Sequence, residues 1–382
     1  MFDCIIVGAG LAGAVFARQM AVSGRRVLVV EKRSHIAGNC YDHFDENGIL
    51  IHKYGPHLFH TSNREVFHFL SQFTDWRQYQ HRVLADIDGC RIPLPFNLNS
   101  LHLLLPNSMA SVLEEKLIKA FGFGVKVPIL KLRKSGDEDL QWLAEFIYEK
   151  VFLQYTLKQW GGTPEQIDPQ VTGRVPVSIS RDGRYFQDRY QVVPEHGYTR
   201  LFAKMMDHPD IHLLLNTRFQ DVVRLVPETK EIVFLGRRFD GDLIFTGMID
   251  ELFDFAHGML PYRSLQFRCA HYSCDYYQDA AVVNYPNNYD FTRITEFKRI
   301  SGQQAVGTTV MREYPCAYKH GTGMVPCYPL TDRKSVDLYQ LYRREAEQIP
   351  RLTLTGRLAE YRYFDMDDVV AEVLELFEEK FC

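Results

Sequence analysis

A chain of 382 residues, 46% of them hydrophobic, carries material for a large core and, on length, two or three structural units. With 24% charged residues and a formal net charge of −4, it excludes a disordered chain or a polyanion-binding tail, so nucleic acid is not an expected partner and any anionic ligand must meet locally placed cations. No run reaches the roughly 18–20 apolar residues of a membrane helix and none of the eight cysteines forms a C-x-x-C pair, so the expectation is no membrane span, reduced thiols, no metal and a cytoplasmic setting.

The first elements read as a βαβ unit. Cys4–Val7 is an apolar strand, Gly8–Gly13 a turn, and Ala14–Ser23 carries helical spacing that Gly24 stops. Val27–Val30 is a second strand, ending at Glu31. The apolar start imitates a targeting segment, but Asp3 and the ordered glycine spacing mark it as folded protein. The turn Gly8-Ala9-Gly10-Leu11-Ala12-Gly13 is G-x-G-x-x-G. Gly8 permits the tight turn, Gly10 lets backbone approach a pyrophosphate, and Gly13 lets helix and strand pack closely. Glu31 can accept from a ribose hydroxyl. Two features favour FAD over NAD. One is the small-residue continuation Glu31-Lys32-Arg33-Ser34-His35-Ile36-Ala37-Gly38-Asn39. The other is a C-terminal strand, Gly356-Arg357, and a helix beginning near Asp365–Asp367, whose N-terminus can stabilise charge on a reduced flavin. Neither Gly122-Phe123-Gly124 nor Gly321-Thr322-Gly323 makes a second fingerprint.

Further along, residues 49–61 read as extended and His-rich. His57 and His60 follow the Gly55-Pro56 turn, where they can line a flavin; His52 reads as structural. Residues 62–77 read as helical, and Arg82–Pro95 as a hairpin turning at Asp88-Gly89. Helical periodicity dominates 100–160 and ends in Tyr155-Thr156-Leu157-Lys158-Gln159-Trp160. Glycines and prolines then punctuate 161–185, the mark of a functional loop. Short β-like runs fill about 260–315. The end reads helix (Ser335–Ala346), strand (Leu352–Leu354) and helix (Asp367–Phe377). This return to β-then-α patterning implies one α/β domain built from both ends of the chain, with two insertions. No G-x-S-x-G, H-E-x-x-H or P-loop lysine occurs and the acids are scattered, so catalysis falls to the flavin. Arg174, Tyr185, Arg293, Tyr328 and Tyr363 form a candidate anion-binding set of forked and neutral donors.

In order along the whole chain, the strings IIVGAGLAGAVFA, VLVVEKRSHIAGNCYD, IHKYGPHLFHT, QYTLKQWGGTPEQI, GRVPVSIS, YFQDRYQVVPEHGYT, YRSLQF, FTRITEFK and GRLAEYRYFDMDDVV closely resemble the bacterial UDP-galactopyranose mutases. The resemblance implies a discontinuous Rossmann-type FAD domain (residues 1–78, 200–250 and 335–382). It also implies a helical-bundle domain (98–178, with a mobile substrate loop at about 161–180) and an antiparallel sheet domain (79–97, 180–199 and 255–334). It implies interconversion of UDP-galactopyranose and UDP-galactofuranose without net redox change, with N5 of reduced FAD as the nucleophile at the anomeric carbon. The product would serve a cell-surface polysaccharide. An external reductant, NAD(P)H or a flavin reductase, and a homodimer are the further partners it implies.

Carried over by position, Arg174 and Arg293 match diphosphate-binding arginines, and Tyr185, Tyr328 and Tyr363 match tyrosine donors. Tyr155 and Thr156 match the uridine side, Trp160 a loop tryptophan, Asn284 a cleft asparagine, and His60 a histidine near the flavin. Gly8, Gly10, Leu11, Ala12, Gly13, Glu31, Lys32, Asn39, His57 and Leu58 are the N-terminal cofactor candidates. Arg218 and Phe219 fall near the adenine, and Arg357 with Phe364, Asp365, Met366, Asp367, Asp368 and Val369 matches the C-terminal flavin motif. Three positions depart from the family pattern. Ala37 replaces a glycine, which cofactor binding tolerates provided the backbone avoids positive φ. His81 replaces an asparagine in the substrate region, and Cys327 replaces a tyrosine. Two other readings share the fingerprint: a flavin oxidase or dehydrogenase, and a prenyl-carrier protein without flavin.

Overall fold

The computed structural model describes residues 2–161, 176–226 and 228–382. Its organising element is a five-stranded parallel sheet. β1 (Cys4–Val7) lies between β2 (Val27–Val30) and the strand Asp242–Phe245. Ile211–Leu214 and Leu352–Leu354 form the edges. All eight residues of β1 and β2 are buried, as a parallel sheet covered on both faces requires. The strands come from both ends and the middle of the chain, so the Rossmann-type unit is discontinuous.

Between the first two strands runs α1 (Leu11–Val22). A side-chain carbon added at Gly13 would lie 1.9 Å from the Gly8 carbonyl oxygen, so the helix sits on the turn only because that carbon is absent. On its other face α1 packs on the C-terminal helix Met366–Phe381, with Phe16 edge-on to Phe377 and Phe381 at 6.2 and 5.7 Å.

The second large sheet has seven strands. In spatial order they are Tyr328–Pro329, Tyr262–Tyr272, Thr308–Ala317, Arg293–Glu296, Val282–Asn284, Val83–Ile87 and Cys90–Leu94. Every join is antiparallel except Val282–Asn284 with Val83–Ile87, which is parallel, so the expected purely antiparallel sheet needs that amendment. The expected hairpin at 82–95 is present, turning at Asp88-Gly89. The run 260–315, read as short strands, holds two short ones, Val282–Asn284 and Arg293–Glu296, and also two long ones, Tyr262–Tyr272 and Thr308–Ala317, paired over ten residues.

Helices between 98 and 160 share an apolar core with this sheet. The Asn97 side chain caps Leu98–Leu104, and Ser100 Oγ accepts from the Asn97 N–H in return. Asp137 caps Glu138–Ile147. The chain then widens into a π-helical stretch, Tyr148–Leu153, before Gln154–Trp160. Residues 62–77, read as one helix, divide. The helix ends at Ser71 and Trp76–Gln78 is a strand beside Tyr190–Pro194.

Candidate active site

Two adjoining cavities occupy the space between the sheets. The first is lined by the glycine turn (Gly8, Gly10, Leu11, Ala12), by Glu31, Lys32 and Arg33, by Gly38 and Asn39, and by Arg218 and Phe219. The second is a cleft of about 750 Å³, within the range of small-molecule sites. Asn39, His57, Cys327, Arg357, Asp365 and Met366 line both, and so form the boundary between them.

The first cavity is built for a dinucleotide. Gly10 caps α1 without any side-chain partner, so first-turn N–H groups are left for a ligand. Across from Gly10 the second turn comes within backbone contact: a side-chain carbon at Gly38 would lie 2.7 Å from Gly10 Cα. Beside it Ala37 adopts φ 70°, ψ 0°. The proviso that this alanine avoids positive φ therefore fails, and its methyl is held in a left-handed conformation that favours glycine. Both Glu31 oxygens already accept from backbone, Oε2 from Ala9 N–H and Oε1 from Arg33 N–H, each at 2.9 Å. The carboxylate thus ties the two turns together while lining the cavity.

Arg33 is the cofactor-side residue that the sequence reading missed. Its Nη2 donates to Asn39 Oδ1 at 2.9 Å, its guanidinium lies 4.4 Å from the Tyr54 ring centre, and its Nη1 is buried with no partner among the described residues. A buried guanidinium nitrogen left unbonded beside a glycine cradle fits a pyrophosphate oxygen. These residues therefore fit FAD.

Not every predicted cofactor residue reaches this cavity. Val369 lines it, while Leu58 and Asp368 line the cleft. Gly13 serves packing, as above. Phe364 is buried and its carbonyl accepts from Arg357 Nη2 at 2.6 Å. Asp367 lines neither cavity; it bonds to Thr61 and lies near His60, and burial holds its carboxyl above the usual range. Lys32 is half-exposed, 3.8 Å from Glu251. Arg357 binds the boundary together, donating to Cys327 O and Phe364 O with its guanidinium 5.4 and 5.3 Å from the rings of Tyr328 and Tyr363.

The cleft gathers His60, His81, Tyr155, Thr156, Trp160, Tyr185, Asn284, Arg293, Tyr328 and Tyr363. Arg174 lies outside the described residues. The register of neighbouring strands sets Arg293 opposite Glu313, whose Oε2 is 3.2 Å from Arg293 Nε. Burial works against the Arg293 charge, but the Glu313 carboxylate beside it holds it firmly protonated. Burial pushes the Glu313 carboxyl up, against the pull of Arg293. Tyr155 is pushed up to about 12, and Tyr185 and Tyr328 are likewise raised, all by burial, so the tyrosines stay neutral donors. The cleft therefore offers two arginines, Arg293 and, at the boundary, Arg357, with several uncharged hydroxyls.

Glu313 was not legible as a site residue, and neither was Gln159, whose buried Oε1 has no partner among the described residues. Gln159 follows the Tyr155-Thr156 pair by one helical turn, a spacing that could have flagged it. Arg263 fixes that helix end, donating to Gln159 O at 2.9 Å and Lys158 O at 3.1 Å. His60 stacks on Phe186 at 3.6 Å, and its Nδ1 is 3.0 Å from Asp188 Oδ2. His57 is held near pKa 4 by burial, so it faces the boundary uncharged.

Comparison with known proteins matches this architecture. The family model for UDP-galactopyranose mutase matches residues 150–363, and one for an NAD(P)-binding Rossmann-like domain matches 6–73. A UDP-galactopyranose mutase of Mycoplasma pneumoniae is 37% identical over 99% of this chain and 96% of its own. A dTDP-fucopyranose mutase of Escherichia coli is 32% identical over 98% of this chain and 97% of its own. Among solved structures, that of a reduced UDP-galactopyranose mutase superposes with TM-score 0.74 at 16% identity, covering 99% of this chain and 93% of that one, a likeness of fold.

Proposed function

The chain belongs to the UDP-galactopyranose mutase family, and from that membership we propose that it interconverts UDP-galactopyranose and UDP-galactofuranose with FAD bound in its reduced form. The observation that carries the reading is the boundary: a glycine-cradled dinucleotide cavity opens, across six shared residues, onto a cleft where Arg293 stands among tyrosines.

Gly8, Gly10, Arg33 and the N-terminus of α1 hold the pyrophosphate, Glu31 the ribose, and Arg218 with Phe219 the adenine side. Asn39, His57, Arg357 and the start of the C-terminal helix hold the flavin. Held there in its reduced form, FAD would supply nucleophilic chemistry at the anomeric carbon of the sugar through N5. The chain's own task is to hold the departing UDP for its return. Arg293, with Arg174, meets the diphosphate as charge, while Tyr185, Tyr328 and Tyr363 meet it as neutral hydroxyls. Tyr155 and Thr156 bear on the uridine side, with Trp160 at the end of their helix, and Asn284 bears on the substrate cleft. Asp188 orients His60 against Phe186 beside the flavin. The same reading places the enzyme in the cytoplasm as a homodimer that takes electrons from NAD(P)H or a flavin reductase. Its product goes to a cell-surface polysaccharide.

The test is anaerobic. The purified flavoprotein is reduced with dithionite and given UDP-galactofuranose. Conversion to UDP-galactopyranose only in the reduced state, with the flavin still reduced afterwards, is the expected result. A bound flavin with no isomerisation sinks the substrate assignment. The E. coli relative carries a second reading, tested in the same assay with dTDP-fucofuranose; faster turnover there would displace the first.

A further inference from the structure

His81 stands where the resembling family has asparagine, and the structure says more about it than its position in the cleft. Its side chain is 5% exposed, and its Nδ1 lies 3.0 Å from the Tyr79 hydroxyl. Among the described residues that nitrogen is the hydroxyl's one hydrogen-bond partner. A mostly buried phenol must place its proton somewhere, and leaving it unbonded would cost on the order of 1–3 kcal/mol. Tyr79 therefore donates to Nδ1, and the ring's own proton sits on Nε2. No described protein atom accepts from Nε2, and the residue lines the cleft.

The ring cannot turn away. Tyr185 meets it edge-on at 5.8 Å and Phe186 packs at 5.9 Å, and the Tyr185 N–H donates to the His81 carbonyl at 2.8 Å. Burial, with Arg293 and His60 nearby, holds the imidazole near pKa 3, so it is uncharged at any working pH. The donor thus stands beside Arg293 and Tyr185, two other donors. An asparagine amide would offer both a donor and an acceptor there. This imidazole offers only a donor, which suits an oxygen with no proton of its own to give.

We propose that His81 donates its Nε2–H to a diphosphate oxygen of the nucleotide-sugar, with Tyr79 as the positioning residue that fixes the tautomer. This rests on the mutase reading for the identity of the ligand, but not for the hydrogen bond to phosphate.

The experiment compares UDP and uridine binding to the oxidised holoenzyme for wild type, His81→Phe, His81→Asn and Tyr79→Phe, with kcat and KM for the reduced forms. We expect His81→Phe to weaken UDP about tenfold, the size of one hydrogen bond to a charged group, while uridine binds as before. His81→Asn should restore most of the loss, and Tyr79→Phe should fall between. Unchanged UDP affinity in His81→Phe overturns the proposal. So does an equal loss of UDP and uridine, which would mark a packing role. Wild-type protein that binds UDP through His81 yet isomerises no UDP-sugar would sink the mutase reading and leave this contact standing.

Discussion

Glu313 Oε2 lies 3.2 Å from Arg293 Nε, and the carboxylate is 98% shielded while a quarter of the arginine side chain faces the cleft. The two are close enough to pair as charges, yet Arg293 Nε has no hydrogen-bond partner among the described residues. Removing one partner of such a pair leaves an unbalanced charge inside the protein. Glu313→Gln should therefore lower the unfolding free energy by about 2–4 kcal/mol, read from urea midpoints, and reduce turnover while flavin stays bound. A variant with wild-type stability would show that the pair carries no structural weight.

On the proposed mutase reading, Arg293→Ala and Arg174→Ala should each lower turnover by about a hundredfold or more with FAD retained, since each would remove charge from the departing diphosphate. Flavin content from the visible spectrum, alongside kcat, checks this. Near-wild-type turnover in Arg174→Ala would remove that arginine from the reaction.

At Ala37 two effects oppose. The left-handed backbone costs an L-residue about 1–2 kcal/mol, while its fully buried methyl contributes about 0.8 kcal/mol through burial. Ala37→Gly should consequently change stability by less than about 1 kcal/mol. Gly38→Ala is different: its new carbon would press on Gly10 Cα, so FAD content after purification should fall sharply. Full flavin occupancy in Gly38→Ala would mean that the two turns can part without loss.

His52 is buried and held near pKa 4. Unfolded, it titrates near 6.5, so between those values the unfolded chain binds the extra proton and stability falls as pH drops. Replacing it by asparagine should remove about 1.4 kcal/mol per pH unit from the slope of stability against pH over that window. Parallel pH profiles for the two proteins would refute the burial argument.

What the sequence made legible was local. The first strand, turn, helix and strand follow from residues that touch within thirty positions, and the hairpin at 82–95 announces itself through Asp88-Gly89. The Ser71 helix end was missed because the strand after it exists only through pairing with Tyr190–Pro194, over a hundred residues away. Glu313 was invisible for the same reason. Its function depends on facing Arg293 across two strands, a register no local pattern encodes. Arg33 sat in plain view inside a quoted motif, yet nothing in its neighbours revealed that one of its nitrogens would be buried and unbonded.

Six residues, Cys327 among them, belong to both cavities. A partition has no side that can be altered alone. A molecule pressed into the cleft against Cys327 would also press on whatever lies behind it, and the colour of a flavin responds to the polarity and contacts around its ring. The protein thus carries its own optical gauge: inhibitors that reach the partition should shift the visible absorbance on binding, and those that lodge only at the Tyr155 end should bind silently.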